Sequence, residues 1–599
     1  MVSFATEKEK TVSNKYVLVE INMGRVQGKW LNYCAGIWYY RFNTFKEDQE
    51  HSFLSGNFLF GPFLSSDTSD SGINFTPFDV GSCKVDGGAY SEQSSIANLI
   101  SNNESWYYDR DATEFYIHVD DFDDPRNHTV IIGITISLSN KEKHINGGYY
   151  EPRIMGSFII NKTKDPLEFG IIRKDGGTLQ LNNEDGFFDD FANSVVHGQP
   201  VDIKYGIDDI DGTEMDYADY QQIGKYLIDD IDIGWGDCKL SLIDYRDNFS
   251  LKIPTNTFDQ TTYPNLADKY VGRAIPLIWG EVFNFPVICT NDEESTPANY
   301  SFKICDVSDH TDGINDIVQV YVNGEAVSHS NEDLTNATFT LSTSDYAPGQ
   351  TVTADIKGFD DGLGAMDDNS LDVIEDILDT YLNITYNATN YDTTEWAAIK
   401  SSTKDVGIGL DQPIEIREII EIIQRSNFGG FLVHDDGTYT FRQLDRTVAA
   451  DETVLLNEYF TPPRIRFNRN RYLSKISIGY AHDHANKNYR WYVNDDLEAD
   501  IFAEYQKYKS REIETYLTNA TDAEWLADLH MDLWQKVRGE IITQTGIQNI
   551  DFEVDDIHNL TLDRRDRGWK GTKKTVIIGL KKDLLGTGKV LITGLDIED

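Results

Sequence analysis

The sequence predicts a mainly β fold, a multidomain assembly of β-barrel or sandwich domains with one small helix-containing α/β module. Three observations lead there. Short runs rich in Val, Ile, Tyr and Phe recur between Asp-Gly, Asn-Gly and Gly-Gly turns, which is the spacing of sandwiches and barrels. Helical periodicity is confined to a few windows. The 599 residues, 40% hydrophobic and 12% aromatic, are enough for about three to five domains with cores of their own.

The strand signals are clearest at Val130–Leu138, at Val318–Val322 before the turn Asn323-Gly324, and at Thr438–Arg442 after Asp436-Gly437. No fixed-period repeat is present, which disfavours solenoids and propellers. Four helices are expected. The first has Ser370 as N-cap and Leu371, Ile374, Ile377, Leu378, Tyr381 and Leu382 at helical spacing. In the second, Asp392 and Glu395 form a capping box ahead of Trp396 and Ile399. The third starts near Pro413, carries Ile416, Ile419, Ile420 and Ile423 on one face, and stops at Gly429-Gly430. The fourth has Thr521 and Glu524 as capping box, with Trp525, Leu529 and Leu533 as its apolar stripe. The expected layout is an N-terminal β domain over 1–150 and a first barrel over 151–285. A connecting β segment over 286–345, an α/β module over 346–455 and a second barrel over 456–599 follow.

The net charge of −47, from 100 acidic against 53 basic residues, opposes binding of a phosphate backbone through a broad basic surface. Acidity of this kind also suits halophilic or secreted proteins, so it names no function by itself. Cys34, Cys83, Cys238, Cys289 and Cys305 are odd in number and widely spaced, so buried free thiols are expected rather than a disulfide framework or a zinc site. Met1–Lys10 has no apolar h-region, so no secretory signal is expected. No apolar stretch approaches the ~20 residues of a membrane-spanning helix. The chain is expected to be soluble and to fold in a cytoplasm.

Enzyme motifs are missing from the sequence: there is no His-Glu-x-x-His, Gly-x-Ser-x-Gly, phosphate loop or Rossmann fingerprint. Gly586-Thr587-Gly588-Lys589 lacks the rest of a phosphate loop and reads as a hairpin turn. His482-Asp483-His484 could place two imidazoles on one strand face, but without further ligands it reads as an exposed turn. Asp208, Asp209, Asp211, Gly212, Glu214 and Asp216 have the composition of a calcium loop without EF-hand spacing, and read as a solvated acidic turn. Two basic clusters stand out: Arg464, Arg466, Arg469 and Arg471, then Arg564, Arg565, Arg567, Lys570, Lys573 and Lys574. They read either as local charge balance or as subunit interfaces in which guanidinium forks meet carboxylates of another copy.

Several segments in sequence order resemble tail-tip baseplate hub proteins of long-tailed (siphovirus-type) bacteriophages, the family of the lambda-like central tail-tip protein. They are Ser105–Asp109, Phe115–Val119, Asp124-Pro125 and Tyr149–Arg153, then Asp165–Gly170, Gly176–Asn182 and Asp185–Asp189. Gly198–Gly206, Tyr226–Ile233, Cys238–Asp247, Tyr263–Leu266, Gly272 and Ile275–Gly280 continue the pattern. Pro413–His434, Asp436–Phe441, Val576–Leu580 and Val590–Leu595 complete it. The resemblance covers most of the chain, although no single motif is diagnostic. Many members continue into fibre or receptor-binding extensions beyond such strands, so direct receptor binding is not expected of this chain.

The resemblance implies a non-enzymatic virion protein of the tail tip, assembled in the host cytoplasm, with no catalytic residues, cofactor or metal. It implies a homotrimeric ring that closes the tail tube. The ring would contact the distal tail protein ring, the tape-measure protein and other tail-tip or receptor-binding proteins. DNA would pass its lumen without specific binding. Trp106, Tyr107, Tyr108, Trp235 and Trp279 are then expected as buried packing anchors, and Arg464, Arg466, Arg469 and Arg471 as interface residues. The competing classes are a tail-associated cell-wall or glycan hydrolase and a carbohydrate-binding β-protein.

Overall fold

The computed structural model describes residues 14–24, 31–34, 37–41, 78–85, 88–92, 105–109, 114–118, 130–145, 148–156, 158–164, 176–189, 196–208, 215–310, 312–360, 362, 364–468, 471–497, 501, 505–563, 570–585 and 588–598. Strands make up 48% of it and helices 16%, in several sheets of a multidomain, sandwich-like architecture. The strands needed below begin with β1 (Asn14–Gly24), β2 (Val130–Ser139), β3 (Ile159–Thr163) and β4 (Gly176–Asn182). Next are β5 (Pro200–Asp208), β6 (Gln221–Ile233) and β7 (Asp237–Ile243). The middle of the chain carries β8 (Glu281–Pro286), β9 (Ile314–Val322), β10 (Glu325–Val327) and β11 (Val352–Phe359). Helices α1 (Ser370–Leu382), α2 (Thr393–Lys400) and α3 (Ile416–Asn427) precede the hairpin β12 (Gly429–Val433) and β13 (Tyr439–Gln443). The C-terminal part holds β14 (Tyr459–Phe467), β15 (Lys475–Asp483), β16 (Asn488–Asp496), β17 (Ser510–Glu514) and α4 (Ala520–Trp534). It ends on β18 (Gly539–Gly546), β19 (Ile557–Asp563), β20 (Lys570–Asp583) and β21 (Lys589–Asp596).

One antiparallel run of eight strands organises the large sheet. It goes β14, β18, β21, β20, β3, β4, β7, β6, each hydrogen-bonded to the next. Alternation sets its faces: Leu179 and Leu181 on β4, and Cys238, Leu240 and Leu242 on β7, are all buried. The join in the middle is the ladder from Ile159↔Asp583 to Thr163↔Gly579, between strands far apart in sequence. Beyond β6 the sheet continues through β5 and β1 to β2.

A second sheet runs β10, β9, β11, β8, β15, β16, with β17 also on β15. The expected turn at Asn323-Gly324 joins β9 to β10 with both residues left-handed, at φ 52° and 85°, as a two-residue hairpin loop requires. Gly437, at φ 86°, does the same work in the β12–β13 hairpin. The antiparallel ladder of β20 and β21 closes at Asp583↔Lys589; Gly586 and Thr587 of the expected turn lie outside the described residues.

The helices form where periodicity places them, but three caps differ. Asn369, not Ser370, caps α1 by accepting from the Leu371 amide, while the Ser370 hydroxyl donates to the Lys404 carbonyl. Asp392 does cap α2, accepting from the Thr394 and Glu395 amides. Glu395 does not return to it, because the Asp392 amide donates to the Tyr439 carbonyl instead. Asn519, not Thr521, caps α4 through the Asp522 amide. The core face of α4 is also rotated: Ala523, Leu526, Ala527, Met531, Leu533 and Trp534 are buried, while Trp525 and Leu529 are only half-buried. In α3, Ile416, Ile419, Ile420 and Ile423 are all buried as the spacing predicts, and the helix ends on left-handed Phe428.

Cys238, Cys289 and Cys305 are buried free thiols, and burial pushes each up to about 12, which leaves them unreactive at neutral pH. The side chains of Cys34 and Cys83 lie outside the described residues. No helix among the described residues is long and apolar enough to cross a membrane.

Asn427 ties α1, α3 and the loop after α2 together. Its amide donates to Ser370 Oγ (2.7 Å) and the Ile423 carbonyl, and its carbonyl accepts from the Lys404 amide at 2.7 Å. Asn427→Ala strands these buried partners, and urea denaturation is expected to show a loss of about 1–3 kcal/mol.

Candidate functional site

A densely charged interior region lies where the helical module meets the large sheet. Ile160 on β3 sits opposite Lys582 on β20, so Lys162, two residues along, shares a face with Lys582. Both ammonium groups converge on Asp435 of the β12–β13 hairpin, Lys162 Nζ on Oδ1 at 2.6 Å and Lys582 Nζ on Oδ2 at 2.7 Å. The three side chains are 6%, 1% and 8% exposed, so this is an interior ion triplet. Lys164, the residue after β3, pairs with Asp555 at 2.7 Å. The neighbouring His434 donates from Nδ1 to Glu553 and from Nε2 to Glu395 of α2 at 3.2 Å. Arg442 on β13 grips both Glu395 oxygens and reaches Asp556 Oδ1 at 2.6 Å. Thr440 Oγ1 donates to Glu395 Oε2 at 2.9 Å.

This network sets its own protonation. Burial alone would depress His434, but its hydrogen bonds to Glu395 and Glu553 prevail and raise it to about 10. The bond from His434, aided by Arg442 and opposed by burial, holds Glu395 well below the usual carboxylate range. Glu553 is likewise held low, its burial outweighed by His434 and Lys162. The network thus sets five basic side chains, Lys162, Lys164, Lys582, His434 and Arg442, against five acidic ones, Asp435, Asp555, Glu553, Glu395 and Asp556.

Asp392, Glu395 and His434 each bring a donor atom within 4.8 Å of the others, a spacing suited to a metal ion. The donors do not fit one. His434 holds protons on both nitrogens, Arg442 already covers Glu395, and Asp392 is engaged as the α2 cap. The chemistry is that of a charge latch between modules.

A second feature is an acidic pocket of about 400 Å³ at the start of α1, lined by Asp367, Asp368, Asp372, Glu375, Asp376 and Asp379 among others. Burial, then the charges of Asp376, Asp372 and Asp368, raise Asp367 to about 8. Burial and Asp405 raise Asp368 to about 6. Asp376 stays ionised despite its burial. His310 at 2.9 Å and the Trp279 indole at 2.6 Å hydrogen-bond it and lower its pKa. The pocket therefore holds protonated and ionised carboxyls side by side, the pattern of tuned acid and base groups.

The residues singled out from sequence are scattered. Trp279 is fully buried. Trp235 is not an anchor: it is fully exposed at the β6–β7 tip, because Gly234 N bonds the Asp237 carbonyl and turns the chain there. Trp106, Tyr107 and Tyr108 lie in the strand Ser105–Asp109 paired with Glu114–His118, and their side chains lie outside the described residues. Arg464 and Arg466 are exposed on β14, Arg471 pairs with Glu540, and Arg469 lies outside the described residues. Arg564, Arg565 and Arg567 lie outside them too. Lys573 and Lys574 bond within the chain, to Glu598 and the Arg446 carbonyl. His482-Asp483 ends β15 rather than forming an exposed turn. The His482 and His484 rings meet at 4.6 Å, and burial pushes His484 down to about 3. Of the acidic stretch at 208–216, residues 209–214 lie outside the described residues. Sequence reasoning missed the latch altogether. Its one local trace is the run His434-Asp435-Asp436, which reads as turn chemistry.

Asp435→Asn leaves Lys162 and Lys582 buried without an anion, and chemical denaturation is expected to show a loss of about 3–5 kcal/mol. A Lys162→Met, Asp435→Leu, Lys582→Met triple variant should recover most of it. The latch is also pH-bounded. The raised His434 contributes stability below its ordinary 6.5 and loses it as pH rises through about 10. The lowered Glu395 and Glu553 contribute above their ordinary 4.5 and lose it as pH falls. A melting-temperature profile of the wild type, minus that of a His434→Gln, Glu395→Gln, Glu553→Gln variant, should therefore peak between pH 4.5 and 6.5.

No protein-family model matches the chain, and no curated protein matches it by sequence. Among solved structures it is similar to a tail protein from Neisseria meningitidis, at 8% identity and TM-score 0.39, over 76% of this chain and 94% of that one. It is also similar to the 43 kDa tail protein of prophage MuSo2 from Shewanella oneidensis, at 11% identity and TM-score 0.33, over 76% and 96%. A chain of a native gene transfer agent virion is similar at 11% identity and TM-score 0.36, over 58% and 89%.

Proposed function

We propose that the chain is a structural protein of a phage tail, a baseplate hub whose copies form a threefold ring closing the tail tube. The ring would join the distal tail ring and the tape-measure protein to the tail tip and open for DNA ejection. The reading rests on the ordered sequence resemblance, and one structural observation carries it further. Two stretches of open edge of opposite character flank the eight-strand run, one on β14 and one on the part of β6 that β5 does not cover. At one end β14 pairs only with β18 among the described residues, exposing Arg464, Arg466, Phe460 and Phe467, with Lys589 lying over the Phe460 ring at 4.9 Å. At the other, β6 runs past its ladder with β5 and exposes Asp229, Asp230 and Asp232 beside Trp235.

Edges this unlike join head to tail rather than face to face, and a head-to-tail contact closes into a ring or grows into a filament. Guanidinium groups meeting carboxylates across the joint supply register and selectivity. With a net charge of −47 and Arg464 and Arg466 committed to the joint, the inner wall of the ring is left acidic. Repulsion over a Debye length of about 8–10 Å then keeps DNA from adhering.

Cryo-electron microscopy of intact tails tests the reading. Threefold density for this chain at the tail tip, with the Arg464 and Arg466 edge against a neighbour's β6, is the expected result. Any other symmetry, or those arginines lining the lumen, overturns it. A second reading, cell-wall or glycan hydrolysis, is favoured by the acidic pocket with its raised Asp367. A zymogram on host cell walls decides: clearing by the wild type that is lost in Asp367→Asn supports hydrolysis, and no clearing removes it.

A further inference from the structure

We propose that β16 is a docking edge for an extended, basic segment of another protein, which adds to the second sheet as its next strand. The sheet ends on β16 along its whole length: β15 is its one ladder partner among the described residues. The other end of the same sheet is the three-residue β10, too short to recruit a strand. Natural edges are usually blunted by proline, lysine, bulges or brevity. The β14 edge follows that rule, with Pro462-Pro463 and two shifts of register. The β16 edge does not. Its nine residues, Asn-Tyr-Arg-Trp-Tyr-Val-Asn-Asp-Asp, contain neither proline nor lysine, and its ladder with β15 runs without a register shift.

Two aromatic side chains flank this edge, one on each face. Trp491 is 53% exposed and stacks on Tyr480 across the ladder, with ring centroids 5.9 Å apart. Tyr492, 41% exposed, points to the opposite face, where Glu512 of β17 hydrogen-bonds it. A strand laid along β16 would have a ring on either side of its backbone. Main-chain hydrogen bonds would supply affinity and the rings would exclude water from them.

The charge around the edge selects the partner. On one face Asp495 stands among Asp528 and Asp532 of α4, and its pKa is raised by burial and by those carboxylates. On the other, Asp496 follows Tyr492 and Asn494 toward Lys475, with Glu512 and Glu514 on β17. Arg490 is already paired with Asp355 at 3.0 Å. Lys475, Lys509 and Arg511 offset this at one end of the ladder; around the rest of the edge carboxylate is in excess, which favours a segment carrying Lys or Arg and penalises an acidic one, including a second copy's own β16.

The test uses the full chain and two fluorescently labelled nine-residue peptides, Lys-Val-Thr-Val-Lys-Val-Thr-Val-Lys and its Glu-for-Lys counterpart. Fluorescence anisotropy should show saturable binding of the lysine peptide and at least tenfold weaker binding of the glutamate one. Hydrogen exchange should slow within 488–496 on binding. Trp491→Ala, shown to be folded by its circular dichroism spectrum, should weaken binding at least fivefold. No saturable binding, equal binding of both peptides, protection elsewhere, or unchanged affinity in Trp491→Ala overturns the proposal. It stands or falls independently of the ring.

Discussion

The position of the helical module depends on one constraint, the need to neutralise two lysines inside the protein. Lys162 and Lys582 arrive on one face of the β3–β20 ladder, and neither reaches solvent. An unpaired buried ammonium group costs several kcal/mol, so the β12–β13 hairpin that carries Asp435 must dock there. Once it does, His434 and Arg442 come with it, and they fix Glu395 of α2 and the loop carrying Glu553 and Asp556. Five structural pieces are thereby tied together by charge, alongside the apolar cluster that joins Phe428 and Leu444 to Val576 and Ile578 of β20. The geometry has to be complete, because each partial version strands a charge.

That placement explains how two distant parts of the chain act as one sheet. The β3–β20 ladder is five residue pairs long, a narrow join for a run of eight strands. The latch braces it from one side, next to the residues that make it. The apolar contribution crosses the same boundary, since Leu584, which follows β20, packs into the core built around β4 to β7. A run held rigid through its centre can present its two end strands as fixed surfaces, which assembly by edges requires.

The two sheets treat their edges differently, and the difference is chemical. The β14 edge carries cations, prolines and irregular register, so only a partner with a matching surface can use it. The β16 edge keeps a regular backbone and relies on carboxylates nearby to choose its partner. Both sit on a chain whose overall acidity makes exposed arginine or basic peptide the rarer and therefore the more selective element.

Local physics made much of this protein legible from its residues alone. Asn323-Gly324 had to turn left-handed because few other pairs tolerate it, and the isoleucine stripe of α3 had one face to bury. The β alternation of Leu179–Leu181 and Cys238–Leu242 fixed which side chains formed the core. Where several local solutions were close in energy, tertiary contacts chose. Asn369 outcompeted Ser370 as a cap because the serine hydroxyl had the Lys404 carbonyl to satisfy. Glu395 left its capping box because His434 and Arg442 offered it two cations. Trp279 and Trp235 look alike in sequence, yet one lies under Asp376 in the core and the other stands in solvent on a hairpin tip. The latch was beyond sequence reading for the same reason. Lys162, Glu395, Asp435, Glu553 and Lys582 are unremarkable charges in a chain full of them, and only the β3–β20 register brings them together.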